Sequence, residues 1–409
     1  MKFLALAFRN VFRNSRRTAL TLLVITFGAT ALILAGGFFL YNYEGLRETS
    51  IRNGLGHLQI YTRDHLDKSE EHPLQYGINH YRELQEWLEG RPHVMATTAQ
   101  VDFVGLISNG EKSEAFLGNG VEPDRETLLG FSLNLKEGEP LSEESSDAGQ
   151  VILGTLLAKS LNAKVGDVLT VMSTTTDGAL NAIDVKVVGM YSTGIKEYDA
   201  RSIRMPLQSA QHLLESDRVS KVIVKLDATR NTEMVRDELA AAKLGPYGAG
   251  LEMKTWQALA TFYNQVVSLY NSIFVFVGAI IVILVVLSSS NTMMMSVYER
   301  VREIGTLMAL GTRRRQVLTI FVLEGFLIGV LGATIGLAVS YGLIGVINHA
   351  GLMMPPPPSF NKGFPLLVKF VPELFAAVFF MMVALLTVAA LVPAARGSRL
   401  EIVDALGHV

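Results

Sequence analysis

The 409-residue chain contains no cysteine, and only 18% of its residues are charged. Without cysteine the protein can form no disulfide bond, thiolate metal site or catalytic thiol, and it offers no thiol for lipid attachment. The charged fraction is below the roughly 25% of an average soluble domain, whereas hydrophobic residues make up 49% of the chain. Together with a positive mean hydropathy of +0.32, this composition indicates a membrane protein.

The sequence also lacks the short motifs of common enzymes. It contains no H-E-x-x-H, no G-x-S-x-G and no Walker A loop that would bind ATP phosphates. Three histidines, His65, His72 and His80, and the acidic run over residues 137–147 are more simply explained as solvated loops than as cation sites. We therefore predict no catalytic residue, no metal and no cofactor on this chain.

Four apolar stretches are long enough to cross a membrane, which requires about 20 residues for about 30 Å of hydrocarbon. The predicted transmembrane helices cover residues 18–43, 273–297, 316–347 and 373–395. A charge-free extension over residues 255–272 is predicted to continue the second helix as a stalk. The first stretch exceeds the usual signal-peptide core and precedes no A-x-A cleavage site, so we expect an uncleaved signal-anchor.

The orientation follows from the basic residues near the span ends. They are Lys2, Arg9, Arg13, Arg16 and Arg17 before the first span, Arg300, Arg302, Arg313, Arg314 and Arg315 between the second and third, and Arg396 and Arg399 after the fourth. Because such residues stay in the cytoplasm, residues 1–17, 298–315 and 396–409 are predicted to be cytoplasmic. Residues 44–254 and the short loop 348–372 are then outside.

Residues 44–254 are predicted to form an α+β domain. Strand-like runs cover residues 57–61, 101–107, 168–172, 183–191, 202–205 and 221–226, and helical patterns cover residues 81–88, 155–161, 207–214 and 232–242. The predicted fold class is thus an integral membrane α-helical protein with four transmembrane helices and both termini inside. A large α+β extracytoplasmic domain lies between the first two helices.

A short amphipathic segment between the second and third spans is the most informative part of the chain. Its charges come first, namely Glu299, Arg300, Arg302 and Glu303. The apolar side chains of Ile304, Leu307 and Met308 follow, with Gly305 among them and Gly311 as a helix C-cap. Such a helix either anchors at the membrane interface or inserts its apolar face into a groove of a cytoplasmic partner.

This segment, Glu299-Arg-x-Arg-Glu-Ile-Gly-x-x-x-Ala-Leu-Gly311, resembles the coupling segment of the FtsX-like and MacB-like ABC permeases. The run that opens at Arg9 and the one from Pro393 to Leu406 are similar to the terminal signatures of the same family. The motif from Leu153 to Leu161, with Val165-Gly-Asp167, is similar to the family's external domain. Further motifs resemble the lipoprotein-release (Lol) branch, namely Gly56-His-Leu-Gln-Ile60, Pro206-Leu207 and Gly194-Ile-x-x-Tyr-Asp199.

The resemblance implies a non-enzymatic permease subunit in the bacterial inner membrane, with its large domain in the periplasm. ATP and Mg²⁺ would be bound by a separate cytoplasmic ATPase dimer, which docks on the coupling segment. A second permease protomer, identical or homologous, would complete the membrane part, and the other expected partners are membrane lipid and a lipoprotein cargo, periplasmic chaperone or adaptor. No nucleic-acid partner is expected.

Three functions remain open from the sequence. The first is release of lipoproteins or similar lipophilic cargo from the outer leaflet of the inner membrane, driven mechanically by ATP hydrolysis. The second is MacB-type efflux of drugs or peptides through an adaptor and a duct. The third is FtsX-type signalling to a cell-wall hydrolase without transport. Neighbouring genes for an adaptor or a hydrolase would favour the second or the third.

Inside the predicted spans, Glu324 is the one charged residue apart from Glu373 at the first position of the fourth, and a carboxylate at the depth of Glu324 has either a functional or a structural role. Its candidate hydrogen-bond partners on the second span are Ser288, Ser289, Ser290 and Asn291. Four glycines on the third span indicate close helix packing within the chain or in a dimer; they are Gly325, Gly329, Gly332 and Gly336. In the external domain, Gly194, Tyr198 and Asp199 are predicted either to contact a partner or to close a turn.

Overall fold

A computed structural model of the chain describes residues 2–13, 15–63, 74, 76–130, 134–143, 149–355 and 363–399. Two compact units are present, and each is treated separately below. The helical unit comprises Met1–Glu44, Val266–Met354 and Pro365–Val409. The α+β unit comprises Gly45–Gln265 and Pro355–Phe364.

Along the chain, helices and strands are interspersed in the α+β unit, and the segments before and after it are mainly helical. The helices, in chain order, are α1 Lys2–Arg13, α2 Ser15–Ser50, α3 Tyr81–Glu89, α4 Pro123–Leu129, α5 Thr155–Ser160, α6 Lys196–Asp199, α7 Leu207–Leu214, α8 Thr232–Ala241, α9 Trp256–Leu259, α10 Thr261–Glu299, α11 Val301–Ala309, α12 Arg314–His349, α13 Pro372–Ala389 and α14 Leu391–Ser398. The strands are β1 Leu58–Thr62, β2 Val94–Ser108, β3 Ser113–Val121, β4 Asn134–Gly138, β5 Gly149–Gly154, β6 Val168–Thr174, β7 Leu180–Ser192, β8 Ser202–Pro206, β9 Lys221–Leu226, β10 Leu251–Thr255, β11 Met353–Met354 and β12 Phe364–Pro365.

Four helical segments among the described residues are long and apolar enough to cross a membrane. They are α2 with the π-helical turn that follows it, α10, α12, and α13 together with α14. The predicted number of membrane-spanning helices, four, is therefore confirmed by length and composition. The segment around α10 is the least buried of the four.

Several helix ends differ from the predicted boundaries. The predicted stalk over residues 255–272 does not form one helix, because Thr255 ends β10, α9 follows it, and α10 begins only at Thr261. The predicted coupling helix over residues 298–315 is shorter, since α11 covers Val301–Ala309. The fourth span is divided into α13 and α14, and residues 400–409 of the predicted tail lie outside the described residues.

The four predicted packing glycines lie on α12 where it contacts α2, α13 and the residue that follows α13. A Cβ atom on Gly332 would lie 2.7 Å from Ile25, and one on Gly336 would lie 2.8 Å from Ala29. A Cβ atom on Gly325 would likewise meet Ala390, and one on Gly329 would meet Leu386. Of the two predicted uses of these glycines, the contacts that the structure shows are those within the chain.

The α+β unit contains a sheet with strand order β10-β1-β9-β2-β3-β8-β5-β7-β4. Strand β6 pairs with both β2 and β7, so β2, β3, β8, β5, β7 and β6 form a closed ring of six strands. Side chains alternate across this barrel as period-two geometry requires. Phe103 and Ile107 are buried inside it, whereas Val104 and Leu106 between them are exposed.

One glycine permits the close packing of this barrel. A Cβ atom on Gly118 would lie 2.5 Å from the ring of Phe103, and these two residues are directly opposite each other in the β2–β3 pair. Strand β3 can therefore approach β2 only with a hydrogen at this position.

Candidate functional site

Helix α11 is separated from both neighbouring spans by breaks in helical geometry. Arg300 adopts φ −111° and ψ 15°, which ends α10 at Glu299 and lets α11 begin at Val301. At the other end Gly311 has φ +97°, and its N–H donates to Met308 O at 3.0 Å. A left-handed glycine just beyond a helix is a common termination signal, and this agrees with the role proposed for Gly311.

Helix α11 packs one apolar face against its own chain. Ile304 and Met308 are buried, as is Gly305, and the two side chains belong to a cluster with residues from α10, α12 and α14. That cluster contains Val297, Val317, Phe321 and Ala394. The prediction that Ile304 and Met308 face a partner protein is therefore wrong, since the helices of this chain already cover them.

The opposite face of α11 is exposed and has an apolar end. Leu310 is 81% exposed and Leu307 is 37% exposed. Successive helical residues are separated by about 100°, so Leu310 lies roughly opposite the buried pair, on the side that also carries Arg302 and Glu303. This outward face, defined as Arg302, Glu303, Thr306, Leu307 and Leu310, is the part of the segment that is open to a partner.

A buried ion pair joins the start of α11 to α12. Arg300 Nη1 donates to Glu324 Oε1 at 2.9 Å, and the two side chains are only 9% and 6% exposed. Asn10 of α1 donates from Nδ2 to the same carboxylate oxygen at 2.6 Å. Arg300 Nη2 also donates to Asn10 O at 3.2 Å, so the charges of the pair are matched and hydrogen-bonded, as burial demands. We call Asn10, Arg300 and Glu324 the buried cluster.

Two further ion pairs connect the N-terminal segment to the same region. Arg13 makes two hydrogen bonds to Glu303, at 2.8 and 3.2 Å. Arg17 makes two to Glu299, one of them at 2.9 Å. Arg13 and Glu303 are about half exposed, and Arg17 and Glu299 are 25% and 43% exposed. Solvent therefore screens both pairs, and each contributes only about 0–1 kcal/mol to stability.

The predicted partners of Glu324 are wrong. Ser288 instead accepts a hydrogen bond from Thr292 at its carbonyl, and Asn291 is exposed. Glu324 lies about 14 Å along the helix from Arg315, and there its carboxylate accepts a hydrogen bond from Arg300, the residue at the break between α10 and α11. Asn10, Arg13 and Arg17 were absent from the predicted site, although their basic and amide side chains before the first span were the available signal.

The predicted contact residues of the α+β unit close a turn. Gly194 has φ +88°. Asp199 is fully buried and accepts hydrogen bonds from Ser192 Oγ at 2.5 Å, Thr193 N at 2.8 Å and Thr193 Oγ1 at 2.7 Å. Tyr198 donates to Asn119 at 2.8 Å, and burial raises the pKa of its hydroxyl. Of the two predicted roles, Asp199 therefore has the structural one.

Replacing Asp199 by alanine is expected to destabilise the α+β unit by about 1–3 kcal/mol, because several donors lose their acceptor. Both tryptophans, Trp87 and Trp256, lie in this unit, so tryptophan fluorescence during urea unfolding of the purified chain reports on it alone. The exposed neighbour Glu197 supplies the control, and Glu197→Ala should leave the midpoint unchanged. Equal midpoints for both variants would show that the turn does not depend on Asp199.

No metal site is formed by the described histidines and carboxylates. His65 and His72 lie outside the described residues. His80 pairs with Glu83 at 3.4 Å on an exposed surface.

A unit with four candidate spans, together with a large α+β unit inserted after the first of them, defines a multi-pass membrane protein with a substantial extramembrane part. The model of the MacB-like periplasmic core domain matches residues 18–242. The model of the FtsX-like permease C-terminal region matches residues 275–402. The chain belongs to the MacB-like and FtsX-like family of ABC transporter permeases, which confirms the resemblance seen in the sequence.

Three relatives illustrate the range of this family. The lipoprotein-releasing system transmembrane protein LolE of Haemophilus influenzae is 23% identical over 280 residues, which cover 66% of this chain and 65% of the relative. The macrolide export ATP-binding/permease protein MacB of Hyphomonas neptunium is 26% identical over 434 aligned positions, covering 98% of this chain and 60% of the relative. The uncharacterized ABC transporter permease YknZ of Bacillus subtilis is 20% identical over 415 positions and 98% of each chain.

Proposed function

We propose that this chain is the permease subunit of an ABC transporter that acts mechanically, with both termini in the cytoplasm and the α+β unit in the periplasm. A separate ATPase dimer binds the outward face of α11. Its ATP-driven movement is passed through α10 and α12 to the α+β unit, which receives or moves cargo. The observation that carries this proposal is the exposed Leu310 at the C-terminal end of a helix whose other face packs against the neighbouring helices of its own chain.

The proposed cargo is a lipoprotein or a similar lipophilic molecule. A pump for a hydrophilic solute needs polar groups along its path, whereas Glu324 is the only charged residue within the predicted spans apart from Glu373 at the outer end of the fourth, and Glu324 is bound to Arg300 and Asn10. The relative LolE carries lipoprotein release in its name. MacB-type export is the second candidate, supported by a relative that aligns over 98% of this chain.

Replacing Leu310 by aspartate is expected to reduce co-purification of the ATPase subunit about tenfold or more, because an exposed apolar anchor of a docking surface contributes at least about 1.4 kcal/mol to binding. Leu128, which is equally apolar and 73% exposed in the α+β unit, gives the matched control Leu128→Asp. Normal co-purification with the Leu310 variant would exclude the outward face as the docking surface. Met308→Asp is less informative, since it places a carboxylate in the packed cluster and lowers the yield of folded chain.

The orientation has its own test, because the chain has no cysteine of its own. Cysteines introduced at the exposed positions Ser113 and Ser15 are treated with a membrane-impermeant maleimide after the outer membrane is permeabilised. Ser113→Cys should be labelled in whole cells and Ser15→Cys only after lysis. Labelling of both in whole cells would contradict the proposed topology.

A further inference from the structure

We propose that the N-terminal helix α1 is a third mechanical connection of α11, beside α10 and α12, and that it passes the movement of α11 directly to the first span. This inference rests on the proposed function. The inference goes beyond the proposed function because the covalent chain connects α11 only to α10 and α12. The buried cluster and the two ion pairs Arg13–Glu303 and Arg17–Glu299 supply the additional link.

The buried cluster is the point where three helical segments meet. Glu324 belongs to α12, Asn10 belongs to α1, and Arg300 is the residue at the break between α10 and α11. One guanidinium donates both to the carboxylate of Glu324 and to the backbone carbonyl of Asn10. Because the donors of arginine have a fixed planar geometry, this contact fixes the orientation of Asn10 relative to Glu324 as well as the distance between them.

Helix α1 is held by packing as well as by polar contacts. Ala7 is fully buried on the same side of the helix as Asn10, one turn away. Phe8 and Arg9 are exposed on other sides of α1. Helix α1 therefore packs by one face, which carries the small side chain of Ala7 and the amide of Asn10.

The ion pairs Arg13–Glu303 and Arg17–Glu299 involve residues on either side of the helix break at Arg300. Arg13 reaches Glu303 on α11, and Arg17, at the start of α2, reaches Glu299 at the end of α10. Exposed pairs of this kind add little stability. Their arrangement around Arg300 instead sets the register between the N-terminal segment and α11.

Transmission to the first span follows from chain connectivity. Helix α1 ends at Arg13 and α2 begins at Ser15, so only one residue separates them and a displacement of α1 reaches α2 directly. Movement of α11 thus arrives at three of the candidate spans, α2, α10 and α12, rather than at two.

The test uses a release variant in which the side-chain links are removed and a covalent link can be put back. In the full chain with its ATPase, Asn10→Leu and Arg17→Ala are combined with Arg13→Cys and Glu303→Cys. The readout is permease-stimulated ATP turnover in lipid nanodiscs, before and after cross-linking of the two thiols by a bis-maleimide. The control is Arg9→Ala with Arg16→Ala, two exposed positions of the same segment.

Before cross-linking, stimulated turnover should fall about fivefold or more while the ATPase still co-purifies, as expected for loss of a coupling contact. Cross-linking should restore turnover to within about twofold of the parent, and the control should match the parent throughout. A purely structural role for α1 predicts no recovery, so turnover that stays low after cross-linking overturns the inference. Unchanged turnover in the release variant overturns it as well.

Failure of the proposed function gives a different result. If the parent chain neither binds nor stimulates the ATPase, the permease assignment fails before α1 is tested. If the parent does both and the release variant behaves like it, only the role of α1 is excluded.

Discussion

Replacing Arg300 alone by methionine is expected to destabilise the helical unit by about 3–5 kcal/mol, because the buried carboxylate of Glu324 loses its cation. Glu324→Gln alone should also be destabilising, since Arg300 then keeps a buried charge with a weaker acceptor. The measurement is the temperature at which the detergent-purified chain leaves its monodisperse peak in size-exclusion chromatography.

The double variant Arg300→Met/Glu324→Gln gives the sharper result. Neither charge of the pair remains in it, so no unpaired charge is left at this site and most of the stability should return. Recovery would show that the two groups act as a pair. A double variant as unstable as the sum of the single variants would contradict the pairing.

Replacing Gly332 by valine is expected to separate α12 from α2 and to cost about 1–3 kcal/mol or more, because overpacked interfaces must shift. The new Cβ atom would lie 2.7 Å from Ile25 Cγ2 and 2.9 Å from Ile25 Cβ, and the latter atom cannot rotate away. Thr26 also donates to Gly332 O at 3.4 Å, a contact that requires the two backbones to stay close.

Gly342 on the same helix provides a matched control, since a Cβ atom there meets nothing within 4 Å. Gly342→Val makes the same change in composition and helix propensity. Its melting temperature should therefore stay near that of the parent, whereas that of Gly332→Val should fall clearly. Similar losses in both variants would show that valine in the helix, rather than the α2–α12 contact, is the cause.

The sequence predicted the large elements because their signals are local. Apolar runs located the four spans, and period-two patterns located β1, β2, β6, β7, β8 and β9. Helices α3, α5, α7 and α8 were also found near their observed bounds. Strand β3 was missed because Gly118 and Gly120 are poor strand formers, and only the approach of Phe103 and Ala210 explains them.

The candidate site was predicted in part. The segment from Glu299 to Gly311 was recognised from its motif, but a motif does not say which face of a helix is covered. Ile304 and Met308 were assigned to a partner because nothing local shows that Val317 and Phe321 already pack on them. In physical terms, an amphipathic pattern specifies that one face is buried and leaves open by what.

The contacts of the buried cluster could not be predicted from the sequence. Asn10 and Glu324 are separated by 314 positions, and no local pattern connects them. Depth along the third span correctly marked Glu324 as unusual. Its partners depended on the break at Arg300 and on the seating of α1, both of which are properties of the assembled helices.

The central claim is that ATP-driven movement of α11 reaches the α+β unit. Its most direct test is a pulsed electron paramagnetic resonance distance between spin labels at Ser113→Cys in the α+β unit and Ser268→Cys in α10, both exposed. Permease and ATPase are compared without nucleotide and after trapping with ATP and vanadate. The account predicts that the distance distribution shifts on trapping and that Leu310→Asp abolishes the shift. An unchanged distribution while ATP is being hydrolysed, or the same shift in the Leu310 variant, would contradict it.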